Sequence, residues 1–232
     1  MTTRNTISYA DELFAGNAYY PPSSDNQDAR RGLRLPHLFT HEFGAVVTAD
    51  ADGVCVASTS TAAGALSATG ALVSGGVATF DVARGVSLTA TADLSAYTIV
   101  LAGTDNYGQT QTENVTGPNN TTVYGVKAFE TIVSVTASGA VSIPLTVGSS
   151  DVLGLPIKIA DKGKMIGAFM DGVSLGGAVV AGLSATIAST ATTADVRGTF
   201  TPTTASNGAR MFTVNLIADH TSKEAAFGNA PA

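Results

Sequence analysis

Turn-forming residues recur at short intervals through most of this 232-residue chain and constrain its fold more than any other feature. Glycine and asparagine tolerate a positive φ, and proline presets a turn, so each such group marks a place where the chain can reverse. The groups are Asp50-Ala51-Asp52-Gly53, Ser74-Gly75-Gly76, Asn106-Tyr107-Gly108, Gly117-Pro118-Asn119-Asn120 and Ser206-Asn207-Gly208. Their spacing leaves little room for long helices and predicts a series of short strands.

Between these turns, apolar and polar residues alternate with the period of two that a half-buried strand requires. The alternating runs lie at 86–91, 97–102, 133–136, 157–159 and 212–216. Strands and helices do not alternate as they do in α/β proteins. We therefore predict an all-β, antiparallel β-sandwich or jelly-roll-like domain with little helix, which we expect near Lys127 or at residues 10–15.

The segment from Thr104 to Asn120 is crowded with amides and hydroxyls, which raises the question of a metal or glycan site. Turn residues at 106–108 directly follow the alternating run that ends at 102, and this order is typical of a hairpin. We expect residues 109–115 to pair back as a strand with a polar face toward solvent. On this interpretation the segment is part of the scaffold and binds nothing.

The first 42 residues differ from the rest of the chain. They carry three arginines, Arg30, Arg31 and Arg34, together with the aromatic and proline residues Tyr9, Phe14, Tyr19, Tyr20, Pro21, Pro22, Pro36 and Phe39. An extended segment cannot bury its aromatic side chains alone, so residues 1–42 are predicted to be an arm that packs on its own domain or on a neighbouring subunit. Residues 43–232 would form the β domain, either undivided or divided near position 150. The arginines fit a solvated turn or contact an acidic partner.

Charged residues make up only 13 % of the chain, and the formal net charge is -6. A nucleic-acid-binding protein needs a face rich in lysine and arginine to contact phosphates, so this class is excluded. The surface must instead be covered by hydroxyls and amides. Cys55 is the single cysteine, which rules out an intrachain disulfide and a cysteine-based zinc cluster.

No secretion signal is expected, because Arg4, Asp11 and Glu12 interrupt the amino-terminal region. The uncharged run at 172–194 is long enough to cross a membrane, but its many serines and threonines make it too polar. We predict that this run forms a pair of buried strands and that the protein has no membrane partner. Without a secretory route, the sequons at Asn114, Asn119 and Asn120 would stay unmodified.

One motif suggests hydrolysis: Gly172-Val173-Ser174-Leu175-Gly176 matches the nucleophile-elbow pattern GxSxG. That chemistry needs the serine on a turn between a strand and a helix, with a histidine base and an acid. Downstream, His220 would be the base, and Asp195 or Asp219 the acid. The residues after Ser174 have no amphipathic helical face, so we predict a chance match and no enzyme. A hydrolase using Ser174 is the competing hypothesis.

Metal and phosphate motifs are incomplete. Asp50 and Asp52 could begin a calcium loop, but Thr61 stands where the loop needs a glutamate. His41-Glu42 begins like a zinc-protease motif, but Ala45 takes the place of the second histidine. We therefore predict no catalytic residue, no metal site and no cofactor.

A set of short motifs follows in order along residues 86–220. They are Gly103-Thr104-Asp105, Tyr107-Gly108-Gln109, Thr116-Gly117-Pro118-Asn119, Val123-Tyr124-Gly125, Lys127-Ala128-Phe129, Asp151-Val152-Leu153-Gly154-Leu155-Pro156, residues 195–199 and Asn207-Gly208. The ordered set resembles structural proteins of tailed-bacteriophage virions, of the capsid decoration (cement) type. The resemblance implies a β-sandwich protein on the outer capsid surface, made in the bacterial host cytoplasm.

The same resemblance implies partners. These are the major capsid protein and further copies of the chain, usually as a homotrimer at junctions between capsomers with an extended arm on the shell. Two alternatives stay open at this point. One is another virion component, such as a neck, tail or fibre-anchoring protein. The other is a carbohydrate-binding module, which the absence of tryptophan disfavours because tryptophan is a frequent stacking platform for sugars.

Overall fold

The structure, a computed structural model, describes residues 37–183 and 194–218. A single turn of 3-10 helix at Lys162–Lys164 is the only helical element among these residues. The rest of the regular structure is β: β1 (His37–Ala45), β2 (Cys55–Ser58), β3 (Gly64–Ala65), β4 (Val73–Ser74), β5 (Val77–Ala90), β6 (Thr98–Thr104), β7 (Thr110–Thr116), β8 (Thr122–Tyr124), β9 (Phe129–Ala137), β10 (Leu145–Gly154), β11 (Met165–Met170), β12 (Val173–Ser174), β13 (Gly177–Ala181), β14 (Gly198–Pro202) and β15 (Met211–Ala218). The prediction of an all-β domain with little helix is confirmed.

The strands form two antiparallel sheets that curl into a sandwich-like fold. The smaller sheet has the order β1-β15-β11-β12, and the larger one has the order β13-β14-β10-β5-β9-β6-β7. The short strands β2, β3, β4 and β8 pair with β10, β9, β5 and β5, respectively. No helix among the described residues has the length and apolar character needed to span a membrane.

Two hydrophobic cores lie along the chain. The first is built mainly by β5, β6, β9 and β10 and ends in sequence at Val147. The second is built by β14, β15 and the segments around β1 and β11, with Leu153 as its member on β10. The change of core falls between these two residues, beside position 150, while β10 runs through both without a break.

Most local predictions are confirmed. The runs near 86–91, 97–102, 133–136 and 212–216 lie within a residue of β5, β6, β9 and β15. Four of the predicted turns place a residue at positive φ, as at Gly75 (59°), Gly108 (73°), Asn120 (49°) and Gly208 (80°). Backbone geometry is a local property, so the turn residues alone were enough to locate these reversals.

Three local predictions are wrong. Residues 157–159 form no strand; they are an irregular segment whose isoleucines fill the second core. Lys127 lies in the loop between β8 and β9 instead of a helix. The described part of the run at 172–194 is not buried, because β12 and β13 lie at sheet edges and Val173 and Val180 remain 69 % and 44 % exposed.

The predicted arm meets the domain at the smaller sheet. β1 pairs with β15 from His37 opposite Ala218 to Ala45 opposite Met211, so residues 37–42 belong to a strand. Residues 1–36 lie outside the described part of the chain. The first and last residues that the structure describes, His37 and Ala218, are therefore paired with each other.

Candidate functional site

Ser174, the candidate nucleophile, is exposed on β12. A turn with positive φ at Asp171 (52°) and Gly172 (79°) precedes it, and β13 follows it. Its backbone pairs with Phe169 in a narrow β ribbon, so the strand-to-helix elbow is not formed there. The candidate partners His220 and Asp219 lie outside the described residues, and Asp195 is buried.

The metal candidates are also placed. Asp50 lies in a turn in which its carbonyl accepts from Ser149 N at 2.7 Å, while Asp52 is exposed. His41 lies on β1 between Phe39 and Phe43, and its ring meets Phe43 edge-on at 4.7 Å. Burial lowers the pKa of His41. Within the described ranges, no three His, Cys, Asp or Glu side chains are grouped so that they could hold a metal ion.

The structure brings together charged residues that the sequence keeps far apart. We call the following residues the Arg197 cluster: Asp105, Glu113, Lys127, Asp195 and Arg197. Each of them is at most 2 % exposed. Sequence reasoning considered Asp195 only as an acid for Ser174 and missed the rest, although Asp105 and Lys127 belong to the quoted motifs.

Asp105 uses both carboxylate oxygens. Oδ1 accepts hydrogen bonds from Tyr107 N at 2.8 Å and Gln109 N at 2.9 Å, which stabilises the turn after β6. Oδ2 accepts from Arg197 Nη1 at 2.8 Å. The guanidinium also lies 5.3 Å from the centre of the Tyr107 ring, and Tyr107 donates its hydroxyl to Pro156 O at 2.6 Å. This corner thus joins the β6–β7 hairpin to the second half of the chain.

Asp195 makes a second connection. Its Oδ1 accepts from Arg197 N at 2.8 Å and Gly198 N at 3.0 Å, so it caps the start of β14. Its Oδ2 accepts from Ala128 N at 3.1 Å, just before β9. A buried carboxylate is tolerated when backbone N–H groups satisfy it in this way.

The inner face of β7 carries the polar part of the cluster. The predicted strand with a polar face toward solvent is confirmed, since Thr110 and Asn114 are exposed, but Gln111 and Glu113 on the other face are polar as well and are buried. Alternation sends every second side chain inward whatever its chemistry. Here the inward polar groups satisfy the backbone of the loop between β8 and β9, which a fully apolar face would leave unpaired.

Burial raises the pKa of Glu113 to about 7, and it lowers the pKa of Lys127 against the opposing influence of Asp195 and Glu113. Perturbed pKa values often mark reactive sites. A reacting group must also meet its substrate, however, and every member of the Arg197 cluster is buried. The arrangement can hold backbone segments together, but it offers no surface for a substrate.

A second group, the Arg84 cluster, consists of Asp81, Arg84, Asp151 and Ser206. Arg84 lies on β5 and is 1 % exposed. Its Nε donates to Ser150 O at 2.8 Å, its Nη1 to Asp81 Oδ1 and Val47 O at 3.0 Å each, and its Nη2 to Asp151 Oδ1 at 2.9 Å and Ser206 Oγ at 3.2 Å. One side chain therefore joins segments that belong to both cores.

The solvent side of β7, β6 and β9 is covered by hydroxyls. Thr110, Thr104 and Thr131 lie opposite one another, and Thr79 on β5 continues the row. Thr104 Oγ1 and Thr131 Oγ1 are 2.7 Å apart. We call this surface the threonine face; its other hydroxyl and amide residues are Thr98, Thr112, Asn114, Thr116, Ser134 and Thr136. The remaining positions in these rows are Val100 and Ala102, so none is charged. Val133, which lies on β9 at the register shift between Ile132 and Ser134, is 50 % exposed.

The quoted motifs coincide with these contacts: Asp105 and Tyr107, Lys127, Asp151, and residues 195–199 all contribute to one of the two clusters. These motif residues therefore contribute to the interior framework of the fold, whereas Tyr124, in another of the motifs, is 61 % exposed. Comparisons with protein-family models, with curated proteins and with solved structures found nothing that matches this chain.

Proposed function

We propose that this chain is a capsid decoration (cement) protein of a tailed-bacteriophage virion. It would be made in the bacterial host cytoplasm and bind the outer capsid surface, with the major capsid protein and further copies of itself, as a homotrimer, for partners. The observation that carries the proposal is the division of its polar residues. The buried charged residues are taken up in backbone and ion-pair contacts, while an uncharged hydroxyl surface faces solvent.

The threonine face suits the outward side of such a protein. A protein bound in many copies on a particle must not adhere to its neighbours or to other particles, and large exposed apolar patches promote such contacts. The hydroxyls of this face can bind water, its rows contain no charge, and the apolar residues on its strands are the isolated side chains Val100, Ala102 and Val133. It is a surface suited to contact with water.

The proposal assigns the opposite requirement, attachment to the shell, to the amino-terminal arm, whose described part enters the smaller sheet as β1. The segment at 1–36 supplies tyrosines and arginines, which are favoured interface anchors. If each arm of a trimer buries a standard interface of roughly 800 Å² per partner, attachment is multivalent and release is slow.

Quantitative mass spectrometry and cryo-microscopy of purified particles test the proposal. We expect many copies distributed over the whole shell. A single ring of copies at the portal axis would overturn it in favour of a neck or tail protein. Ester hydrolysis that is lost in Ser174→Ala would instead support the hydrolase hypothesis.

Deletion of residues 1–36 tests the attachment. The deletion ends before β1 and so leaves its pairing with β15 complete, whereas removal of residues 37–42 would cut into the sheet. We expect the shortened chain to remain folded by circular dichroism and to lose co-sedimentation with shells. Unchanged co-sedimentation would show that the arm is not the attachment element.

A further inference from the structure

Two buried side chains on β7 hold one loop. Gln111 Nε2 donates to Ala128 O at 2.5 Å, and Glu113 Oε1 accepts from Val126 N at 2.5 Å and from Lys127 N at 3.3 Å. The two side chains are 1 % and 2 % exposed. Together they supply the partners that the backbone of residues 126–128, called here the clamped loop, needs once it is buried.

The remaining oxygen of each side chain has no such partner. Gln111 Oε1 and Glu113 Oε2 are both buried and accept no hydrogen bond from any residue that the structure describes. An unsatisfied buried acceptor destabilises the folded state, and an ionised one does so more strongly. Residues two apart on a strand point to the same face, so these two oxygens belong to neighbouring side chains.

The surroundings enclose the Glu113 carboxyl group. A Cβ atom added at Gly125 would lie only 2.6 Å from Glu113 Oε2, which shows how closely the backbone covers this oxygen. A carboxylate at this position would hold its negative charge on an oxygen without a donor. A carboxylic acid at this position carries no charge and avoids that cost.

We propose that Glu113 is a neutral carboxylic acid in the folded protein and that loss of its proton loosens the clamped loop. The protein thus contains a pH-sensitive latch between β7 and the start of β9. This inference concerns the chain alone and does not depend on its proposed place in a virion.

The charged groups near Glu113 act in both directions. Lys127, in the clamped loop, and the N–H groups of Val126 and Lys127 favour the ionised form, while Asp195, on the segment before β14, opposes it. Asp105 and Arg197, with opposite charges, act on Lys127 in turn. Burial is the largest influence and raises the pKa of Glu113 from 4.5 to about 7.

The direction of the pH effect follows from the difference between the raised pKa of Glu113 in the folded chain and its ordinary pKa in the unfolded chain. The folded chain binds the Glu113 proton more tightly than the unfolded chain does, so folding is favoured most where both are protonated, below pH 4.5. As the pH rises from 4.5 to about 7, the unfolded chain releases the proton first, and stability falls. Above this range Glu113 is ionised in both the folded and the unfolded chain, and its stabilising contribution is fully lost.

Urea unfolding of the full chain and of Glu113→Gln tests the latch, because the amide keeps the shape, is permanently neutral and still carries a donor. Between about pH 5 and pH 8 we expect the folded-to-unfolded ratio of the native chain to fall at least about tenfold. In Glu113→Gln this part of the fall should be absent. Glu130→Gln is the matched control: it also removes a carboxyl group whose pKa burial raises, but outside the clamped loop, and it should keep most of the pH dependence.

Carbon-13 NMR titration of the Glu113 carboxyl group in the native chain gives an independent readout. A midpoint at least about one unit above 4.5 supports the latch. A midpoint near 4.5, or a Glu113→Gln variant with unchanged pH dependence, would overturn it. If Glu113→Gln does not fold, the titration alone decides.

Discussion

The two buried arginines do similar work in different surroundings. Arg197 pairs with Asp105, and the side chains of the two are 2 % and 0 % exposed. Arg84 is as deeply buried as Arg197, but the side chains of its partners Asp81 and Asp151 are 24 % and 21 % exposed. One ion pair is closed off from water, and the other has carboxylates at the surface.

This difference decides how each cluster contributes to stability. Breaking a fully buried pair leaves a charge that neither water nor a partner can satisfy, whereas water can replace a partly exposed carboxylate. The Arg197 cluster is therefore expected to behave as a unit that fails when one member is lost. The Arg84 cluster has two carboxylates for one guanidinium, so the loss of one carboxylate should remove only part of its contribution to stability.

Asp105→Ala should have the largest effect. It removes the partner of Arg197 and two hydrogen bonds that stabilise the turn after β6, so we expect a loss of about 3–5 kcal/mol in the free energy of unfolding. Urea denaturation followed by circular dichroism measures it. Asp105→Asn, which keeps an acceptor for the turn but not the charge, should lose less; equal losses would show that the two hydrogen bonds to the turn contribute little.

Asp151→Ala should have a smaller effect. Asp151 accepts from Arg84 Nη2 and from Ser206 N and Oγ, but Asp81 remains to balance the guanidinium. We expect a loss of about 1–2 kcal/mol in the same measurement. The double variant of Asp81 and Asp151 should lose clearly more than the two single variants added together. Simple additivity would contradict the view that the carboxylates substitute for one another.

A change in salt concentration should also distinguish the two clusters, and of the three predicted effects on the free energy of unfolding this one is the smallest. Screening acts on charges that solvent reaches, so raising the salt from about 0.1 M to about 1 M should reduce the loss caused by Asp81→Ala. The loss caused by Asp105→Ala should stay nearly constant over the same range. If both losses fell in parallel, the two clusters would not differ in solvent access.

Features that depend on a few neighbouring residues could be predicted from the sequence. The reversals at Gly108 and Gly208 follow from φ preferences, and β6 and β15 follow from alternation of apolar and polar residues. The irregular segment at 157–159 shows where this reasoning stops. Its two isoleucines alternate as in a strand, but each fills the second core from an irregular backbone.

The clusters could not be predicted, because their members are distant in sequence. Asp105 and Arg197 are 92 positions apart, and Arg84 and Ser206 are 122 apart. Nothing in the sequence marks Gln111 and Glu113 as inward-facing, because polar residues are usually exposed. Their inward orientation depends on a buried loop that needs hydrogen-bond partners, and this need is visible only once the strands are paired.

A double-mutant cycle compares the two clusters most directly. Asp105→Ala, Arg197→Met and their combination are measured by urea unfolding, beside the cycle of Asp81→Ala, Arg84→Met and their combination. We expect a coupling energy of roughly 2–3 kcal/mol for the first pair and below about 1 kcal/mol for the second, since only the first is closed off from water. Equal coupling energies in the two cycles would contradict the claim that burial of the carboxylate separates them.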